Sequence, residues 1–302
     1  MTPRIYLDHN ATTPLRPEAL DAMQAVLEGP PGNPSSLHAE GRAARALIED
    51  AREQVAELAE VAPGEIVFTS GGSEAIAAAI RGVCDRAPHT HRRILVSAVE
   101  HSAVLDTVKA ATRQGFRVER VPCDASGRVS SSSIRARLAA DVCLVAVQWA
   151  NNETGAIQPV HEIAEMCREV QAPFLVDAVQ ALGKIAIDTH AAGVDLLAVS
   201  AHKLGGPQGV GALAVRRGLV LAPLVSGGAQ ERRRRGGTEA VAAIAGFGAA
   251  ARAVKARHHA ESSRMLLLRA RIESRLRDRY PDIRFHGEGG PRLPNTVNFA
   301  IP

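Results

Sequence analysis

The sequence predicts an α/β protein built on a mostly parallel sheet, and three observations carry that prediction. Short apolar runs recur at Glu65–Thr69, Arg93–Ala98, Val142–Val147 and Phe174–Val176, each leading through polar residues toward a helical pattern. Such repetition of strand, turn and helix builds a sheet covered by helices. The run Val142–Val147 is apolar at every position, as expected of a strand buried on both faces of a parallel sheet. Polar residues collect where these runs end, the edge at which open α/β sheets gather their ligands.

Composition narrows the class further. A chain of 302 residues with 46% hydrophobic and 23% charged residues can bury a large core, giving one large domain and a smaller one. The net charge of +4 is local, with arginines concentrated at Arg232–Arg235 and between Arg252 and Arg279. Without interleaved aromatics these read as solvated faces or as sites for an anionic ligand, and no nucleic-acid partner is expected. Cys84, Cys123, Cys143 and Cys167 form no C-x-x-C pair, so neither a disulfide framework nor a metal site is expected, and the cytoplasm is the expected compartment. The N-terminus lacks the apolar run of a signal peptide, and the alanine-rich stretch 240–251 is too short to cross a bilayer, so no membrane segment is expected.

Taken in order, Ile5–Leu7 starts as a short strand and runs into the Asn/Thr/Pro-rich loop Asn10–Pro14. Gly32-Asn33-Pro34-Ser35-Ser36 is a second such loop, and the helix after it places Ala43, Leu47, Ile48, Val55 and Leu58 on one face. After the strand at 65–69, Ser70-Gly71-Gly72-Ser73-Glu74 opens an alanine-rich helix. Glycines there let the backbone approach an anion held by the free N–H groups of the first turn; a plain helix cap at Ser73 accounts for the same residues. The strand at 93–98 ends in Glu100-His101-Ser102, where His101 can stack on a ring, move a proton or simply start a helix. Asn151-Asn152-Glu153-Thr154-Gly155 follows the central strand, and Val210–Val215 adds another. A glycine- and arginine-rich loop then runs from Ser226 to Thr238. From Glu239 to about Arg279 the pattern is helical, with Gly246 and Gly248 as soft points, and Asp282–Phe285 and Thr296–Phe299 read as two short strands. That set buries too little apolar area to close alone, so the sequence is expected to hold only part of the small domain.

The chemistry concentrates at Val199-Ser200-Ala201-His202-Lys203, where an apolar run ends in a serine, a histidine and a lysine. An amine at the end of a buried strand is partly desolvated, which lowers its pKa and frees its lone pair to attack an aldehyde; a polar residue that merely closes a strand is the alternative. Phe174–Gln180 delivers Asp177 and, three residues later, Gln180. A lysine, a carboxylate and an anion site are what pyridoxal 5′-phosphate requires: an amine for its aldehyde, a partner for its ring nitrogen and an anchor for its phosphate.

The ordered motifs Y-L-D-H-N-A-T-T-P, G-N-P-S-S-x-H, F-T-S-G-G-S-E, E-H-S-A-V, N-N-E-T-G-x-x-Q-P, D-A-V-Q-x-x-G-K, S-A-H-K-x-x-G-P and G-G-A-Q-E closely resemble the cysteine desulfurases of the NifS and IscS type. These are class-V aminotransferases among the fold-type I pyridoxal-phosphate enzymes, and the resemblance runs from Tyr6 to about Phe299. It implies a three-layer α/β/α large domain over residues 13–254, and a smaller α+β domain from 1–12 and 255–302 that is expected to be incomplete. It also implies that Lys203 carries the cofactor, that Asp177 pairs with its ring nitrogen, that Gln180 bonds its phenolic oxygen and that His101 lies over the ring and serves catalysis. By the same resemblance Gly72, Ser73, Ser200 and His202 hold the phosphate, and Asn152 contacts cofactor or substrate. Thr238 reaches the phosphate of a neighbouring subunit in a homodimer, and Asn33 helps hold the substrate carboxylate.

The implied reaction removes sulfur from L-cysteine, leaving L-alanine and an enzyme persulfide for an iron-sulfur scaffold or another sulfur-acceptor protein. Selenocysteine lyase, another class-V lyase or aminotransferase, and an inactive cofactor-binding homologue are the alternatives. The sequence departs from the family at Gly72, Ser73, Ala75 and Ile76, at Ala201, and at Gly236 and Ala240. The family's nucleophilic cysteine, in a G-S-A-C-like motif, and its carboxylate-gripping arginine are expected beyond the N-x-V-N-F strand and have no counterpart in this sequence. The four cysteines present are expected to be structural.

Overall fold

Residues 4–302 are described by a computed structural model; residues 1–3 of the expected small domain lie outside the described residues. The apolar runs become a seven-stranded sheet of β1 (Ile66–Thr69), β2 (Arg93–Ser97), β3 (Arg117–Val121), β4 (Val142–Ala146), β5 (Phe174–Asp177), β6 (Leu196–Ser200) and β7 (Gly211–Val215). Its spatial order is β1-β7-β6-β5-β4-β2-β3. β7 pairs antiparallel with both β1 and β6, and every other pairing is parallel.

Alternation along the central strands explains why they are apolar throughout. Phe174, Val176, Leu197 and Val199 enter one core, while Leu175, Leu196 and Ala198 enter another. One core is shared with α2 (Ala39–Ala59), α6 (Val160–Glu169) and the first part of α8 (Val241–Arg279), the other with α3 (Gly72–Cys84) and α4 (Ser102–Ala111). This is the expected three-layer α/β/α arrangement. The remaining helices are α1 (Pro17–Glu28) and the short α5 (Ser131–Arg135) and α7 (Thr189–Ala192); β8 (Arg284–Phe285) and β9 (Phe299–Ala300) pair antiparallel near the C-terminus.

Several expectations are corrected. Ile5–Leu7 forms no strand: Ile5 and Leu7 are 79% and 84% exposed, and β-branched character without a paired neighbour does not make a strand. On α2 the buried stripe is Ala44, Ile48, Ala51, Arg52, Val55, Ala56 and Ala59, with Leu58 at its margin, whereas Ala43 and Leu47 face outward. Gly246 and Gly248 are not soft points of α8. A Cβ on Gly246 would lie 2.6 Å from Met23 Cγ, and one on Gly248 would lie 2.6 Å from Ala51 Cα. These glycines let α8 press against α1 and α2, and that packing outweighs their poor helix propensity. Ser73 is not the cap of α3, which starts one residue earlier at Gly72 after Gly71.

Arg52 ties the helical layer to the loop that carries Thr238. Its guanidinium grips both carboxylate oxygens of Glu231 at 2.7 and 2.8 Å, donates to Ile66 O at 2.9 Å and stacks over Phe68. Glu231 also accepts from Phe68 N–H at 2.8 Å. The anchorage holds Glu231, Arg232 and Arg233 in the left-handed region, with φ of 44°, 56° and 65°, which non-glycine residues adopt only when their surroundings compel it. The side chains of the pair are 4% and 2% exposed. Glu231→Leu should therefore cost about 3–5 kcal/mol in chemical unfolding, because it leaves a buried guanidinium without its carboxylate.

Candidate active site

The carboxyl ends of β1, β2, β4, β5 and β6 converge on a cavity of about 490 Å³. Lys203 follows β6 in a single 3₁₀ turn, and Asp177 is the last residue of the neighbouring β5. Of the residues expected to bind cofactor, Gly72, Ser73, His101, Asn152, Asp177, Gln180, Ser200, His202 and Lys203 all line this space.

The Lys203 ammonium donates to the main-chain oxygens of Asn10 and Ala11, the latter at 2.8 Å. Burial pushes its pKa down, with Asp177, Asp8 and Glu153 partly opposing the shift. This is the direction needed for an amine that must act as a nucleophile. Burial pushes the Asp177 carboxyl upward, against one hydrogen bond from Val179 N–H at 2.9 Å and the pull of His101 and Lys203. A desolvated carboxylate at a cavity wall suits a cationic N–H such as that of a protonated pyridine.

The opposite end suits a phosphate. Gly72 opens the 13-residue α3, so its free N–H groups and the helix dipole point to an anion. A Cβ at Gly72 would lie 2.8 Å from Val179 Cγ2, so the missing side chain there keeps the cradle open. One at Gly211 would lie 2.6 Å from Val199 O and 2.7 Å from Gly71 C, so that glycine lets the Gly71 backbone approach the sheet. Glu74, in the first turn of α3, would repel an anion but is neutralised by Arg235 at 2.9 Å and accepts from Ser70 N–H at 2.9 Å. A neighbouring cavity shares Gly72, Ser73, Ser200 and His202 with the first. The His202 ring is held by Thr12 Oγ1 at 3.1 Å, and burial followed by the charge of Lys203 pushes its pKa down.

His101 starts a helix and also faces the cavity. Its Nδ1 accepts from Ala103 N–H at 3.1 Å, capping α4, and its ring also lines the cavity. Asn152 Nδ2 donates to Glu153 Oε1 at 2.6 Å. Thr238 and Asn33 do not line the cavity. Thr238 is exposed, beside Arg235 and Ser70 in a separate hollow, and Asn33 accepts from Ser35 N–H at 2.9 Å in an exposed turn.

Asn10, Asp8, Gln148, Glu153 and Lys184 were not singled out from the sequence, although four of them line the cavity and Lys184 stands behind it. Asn10 is the hub. Its Nδ2 donates to Asn152 O and Thr296 Oγ1, both at 2.9 Å, and its Oδ1 accepts from Asn295 Nδ2 at 2.9 Å. Glu100, next to His101, accepts from Ser97 Oγ and Gln148 N–H, joining the ends of β2 and β4, and burial pushes its carboxyl up to about 8. Asn10 and Lys184 both sit inside recognisable motifs, so motif membership was their one signal. The four cysteines lie apart from the cavity: Cys84, Cys143 and Cys167 are buried, and Cys123 is half-buried. Burial pushes the Cys167 thiol up to about 12, and contact with Cys143 raises that of Cys84.

A desolvated amine, a buried carboxylate and an anion cradle at one sheet edge mark an α/β enzyme built around a carbonyl-bearing, phosphate-anchored cofactor. The chain belongs to the class-V aminotransferase family, whose model matches residues 5–302. It is 46% identical to a protein named cysteine desulfurase from Cereibacter sphaeroides, over 99% of this chain and 76% of that protein. It is 40% identical to the cysteine desulfurase IscS of Dictyoglomus turgidum, over 100% of this chain and 76% of that one. Among solved structures, a NifS-like protein matches with a TM-score of 0.94 at 35% identity, covering 99% of this chain and 82% of the other. The structure of SspA in complex with cysteine matches with a TM-score of 0.89 at 31% identity, covering 99% and 84%. Among the described residues, no helix is long and apolar enough to cross a membrane.

Proposed function

We propose that this protein is a cysteine desulfurase that uses pyridoxal 5′-phosphate to take sulfur from L-cysteine, leaving L-alanine. The observation that carries the reading is that Lys203 and Asp177 leave adjacent parallel strands for one cavity, bounded at its far end by the N-terminus of α3. When bound, the cofactor supplies an aldehyde that an amine can capture and a ring that accepts electrons from the substrate's α-carbon.

In this reading the Lys203 amine holds the cofactor and moves the α-proton, and Asp177 keeps the ring nitrogen protonated. Gln180 would donate to the ring oxygen, and His101 would pack against the ring. Gly72, Ser73, Ser200 and His202 grip the phosphate, and Asn152 orients cofactor or substrate. The buried Cys84, Cys143 and Cys167 thiols, with Cys84 and Cys167 raised, are not the groups that accept sulfur, since attack needs an accessible thiolate. Thr238 lies outside its own protomer's cavity, which supports a homodimer in which it serves the neighbouring phosphate, and Asn33 is proposed to help hold the substrate carboxylate. We divide the chain into a large domain, 13–254, and a small one from 1–12 and 255–302, with α8 continuous across the boundary. Unpaired cysteines agree with a cytoplasmic setting, and an iron-sulfur scaffold or other sulfur acceptor is the proposed partner.

Purified protein given L-cysteine and a dithiol is expected to form L-alanine and sulfide in equal amounts. The buried cysteines do not take the sulfur, so one thiol of the dithiol attacks the substrate sulfur and carries it as a persulfide, and the second thiol closes the disulfide and releases sulfide. A keto acid in place of alanine would make the protein an aminotransferase, and turnover of selenocysteine alone would make it a selenocysteine lyase.

A further inference from the structure

A second lysine stands behind the cavity wall. Lys184 is 6% exposed and does not line the cavity. Its Nζ donates to Gln180 Oε1 and, at 3.5 Å, to Asn10 Oδ1, and no carboxylate among the described residues forms an ion pair with it. A buried ammonium without a counter-ion is costly. Burial, and then the charge of Lys203, push its pKa down to about 7. If it only filled space, an apolar side chain would do so at lower cost.

We propose that Lys184 is a positioning residue for the cofactor ring, fixing the Gln180 amide so that its N–H end is presented to the ring's phenolic oxygen. Below its lowered pKa Lys184 is an ammonium with three donors and no acceptor, so in that state the amide end that faces it is the carbonyl. On the other side, the main-chain oxygen of Asn10 accepts from Gln180 Nε2 at 2.9 Å. One Nε2 hydrogen is thereby used, and the second is left for the cavity that Gln180 lines. The same Asn10 oxygen accepts from Lys203, so the two lysines and the glutamine meet at one residue. The charge acting on Lys184 is that of Lys203, on which Asp177, Asp8 and Glu153 act in turn, and α8 passes on the other side. There Ser262 Oγ donates to Lys184 O at 3.0 Å.

The inference rests on the cofactor reading above, and a double-mutant cycle separates the two. Pyridoxal phosphate affinity and the pH titration of bound-cofactor absorbance are measured for wild type, Lys184→Met, Gln180→Met and the double variant. Lys184→Met is expected to weaken binding about tenfold, the scale of one hydrogen bond to a charged group. It should also raise the titration midpoint, since the ring oxygen loses its donor. In the Gln180→Met background, adding Lys184→Met should change neither quantity further. Unchanged values for Lys184→Met, or changes of equal size in both backgrounds, would overturn the proposal. If Lys184→Met does not fold, Lys184→Gln replaces it in the cycle: its amide can accept as well as donate, so it no longer dictates which end of Gln180 faces inward. Wild-type protein that binds no pyridoxal phosphate would sink the cofactor reading itself, whereas binding that is indifferent to Lys184 sinks only this inference.

Discussion

Lys203→Ala is expected to abolish the borohydride-fixed attachment of pyridoxal phosphate to the chain and to lower cysteine turnover by at least about 10²–10⁴-fold, the usual scale of a lost proton-transfer group. Lys203 supplies the amine that lines the cavity, and its pKa is lowered by burial. Lys184 also has a depressed pKa, but its amine is turned away behind Gln180 and Asn10, so it cannot substitute. The phosphate cradle is untouched by the substitution, so the variant should still take up cofactor without a covalent link. Mass analysis of the reduced protein decides the matter. A cofactor still fixed in Lys203→Ala, for instance on the Lys184 peptide, would remove Lys203 from the proposed role.

The parts of this fold that could be read from sequence are those set by local chemistry. Val142–Val147 announces a strand covered on both faces, and the structure divides neighbouring residues of the same sheet between two cores. Asp177 and Lys203 could be found because each ends an apolar run, and strand ends are where a sheet exposes polar groups. What could not be read depends on distant partners. Asn10 reaches Thr296 across 286 positions, and no local pattern records such a contact. Ile5–Leu7 has the composition of a strand but finds no neighbour, and Gly248 resembles a weak point until Ala51 is seen against it. Lys184 looks like one more surface lysine in sequence; only the packing of α8 and the Asn10 loop shows that it is enclosed. Thr238 is the reverse case: a motif suggests a role that its own protomer's cavity does not include.

Asp177→Asn should separate catalysis from binding. The variant keeps the volume of the side chain but cannot carry the negative charge that holds a ring nitrogen protonated. Without that proton the ring draws electrons from the substrate far less strongly, and turnover is expected to fall about 10²–10³-fold, as when one preorganised electrostatic group is removed from an active site. Cofactor content should change little, because in the proposed reading Gly72, Ser73, Ser200 and His202 would hold the phosphate and Lys203 would make the covalent link. The carboxylate's own environment supports this division of labour. It receives a single hydrogen bond, from Val179 N–H, and burial works against its charge, so it is poorly satisfied until a cationic N–H faces it. An asparagine there removes an unfavourable buried charge from the empty site, so Asp177→Asn is expected to unfold no more easily than wild type when cofactor is absent. Loss of cofactor in proportion to loss of turnover would instead make Asp177 an anchor, and the electron-sink role would have to be given up.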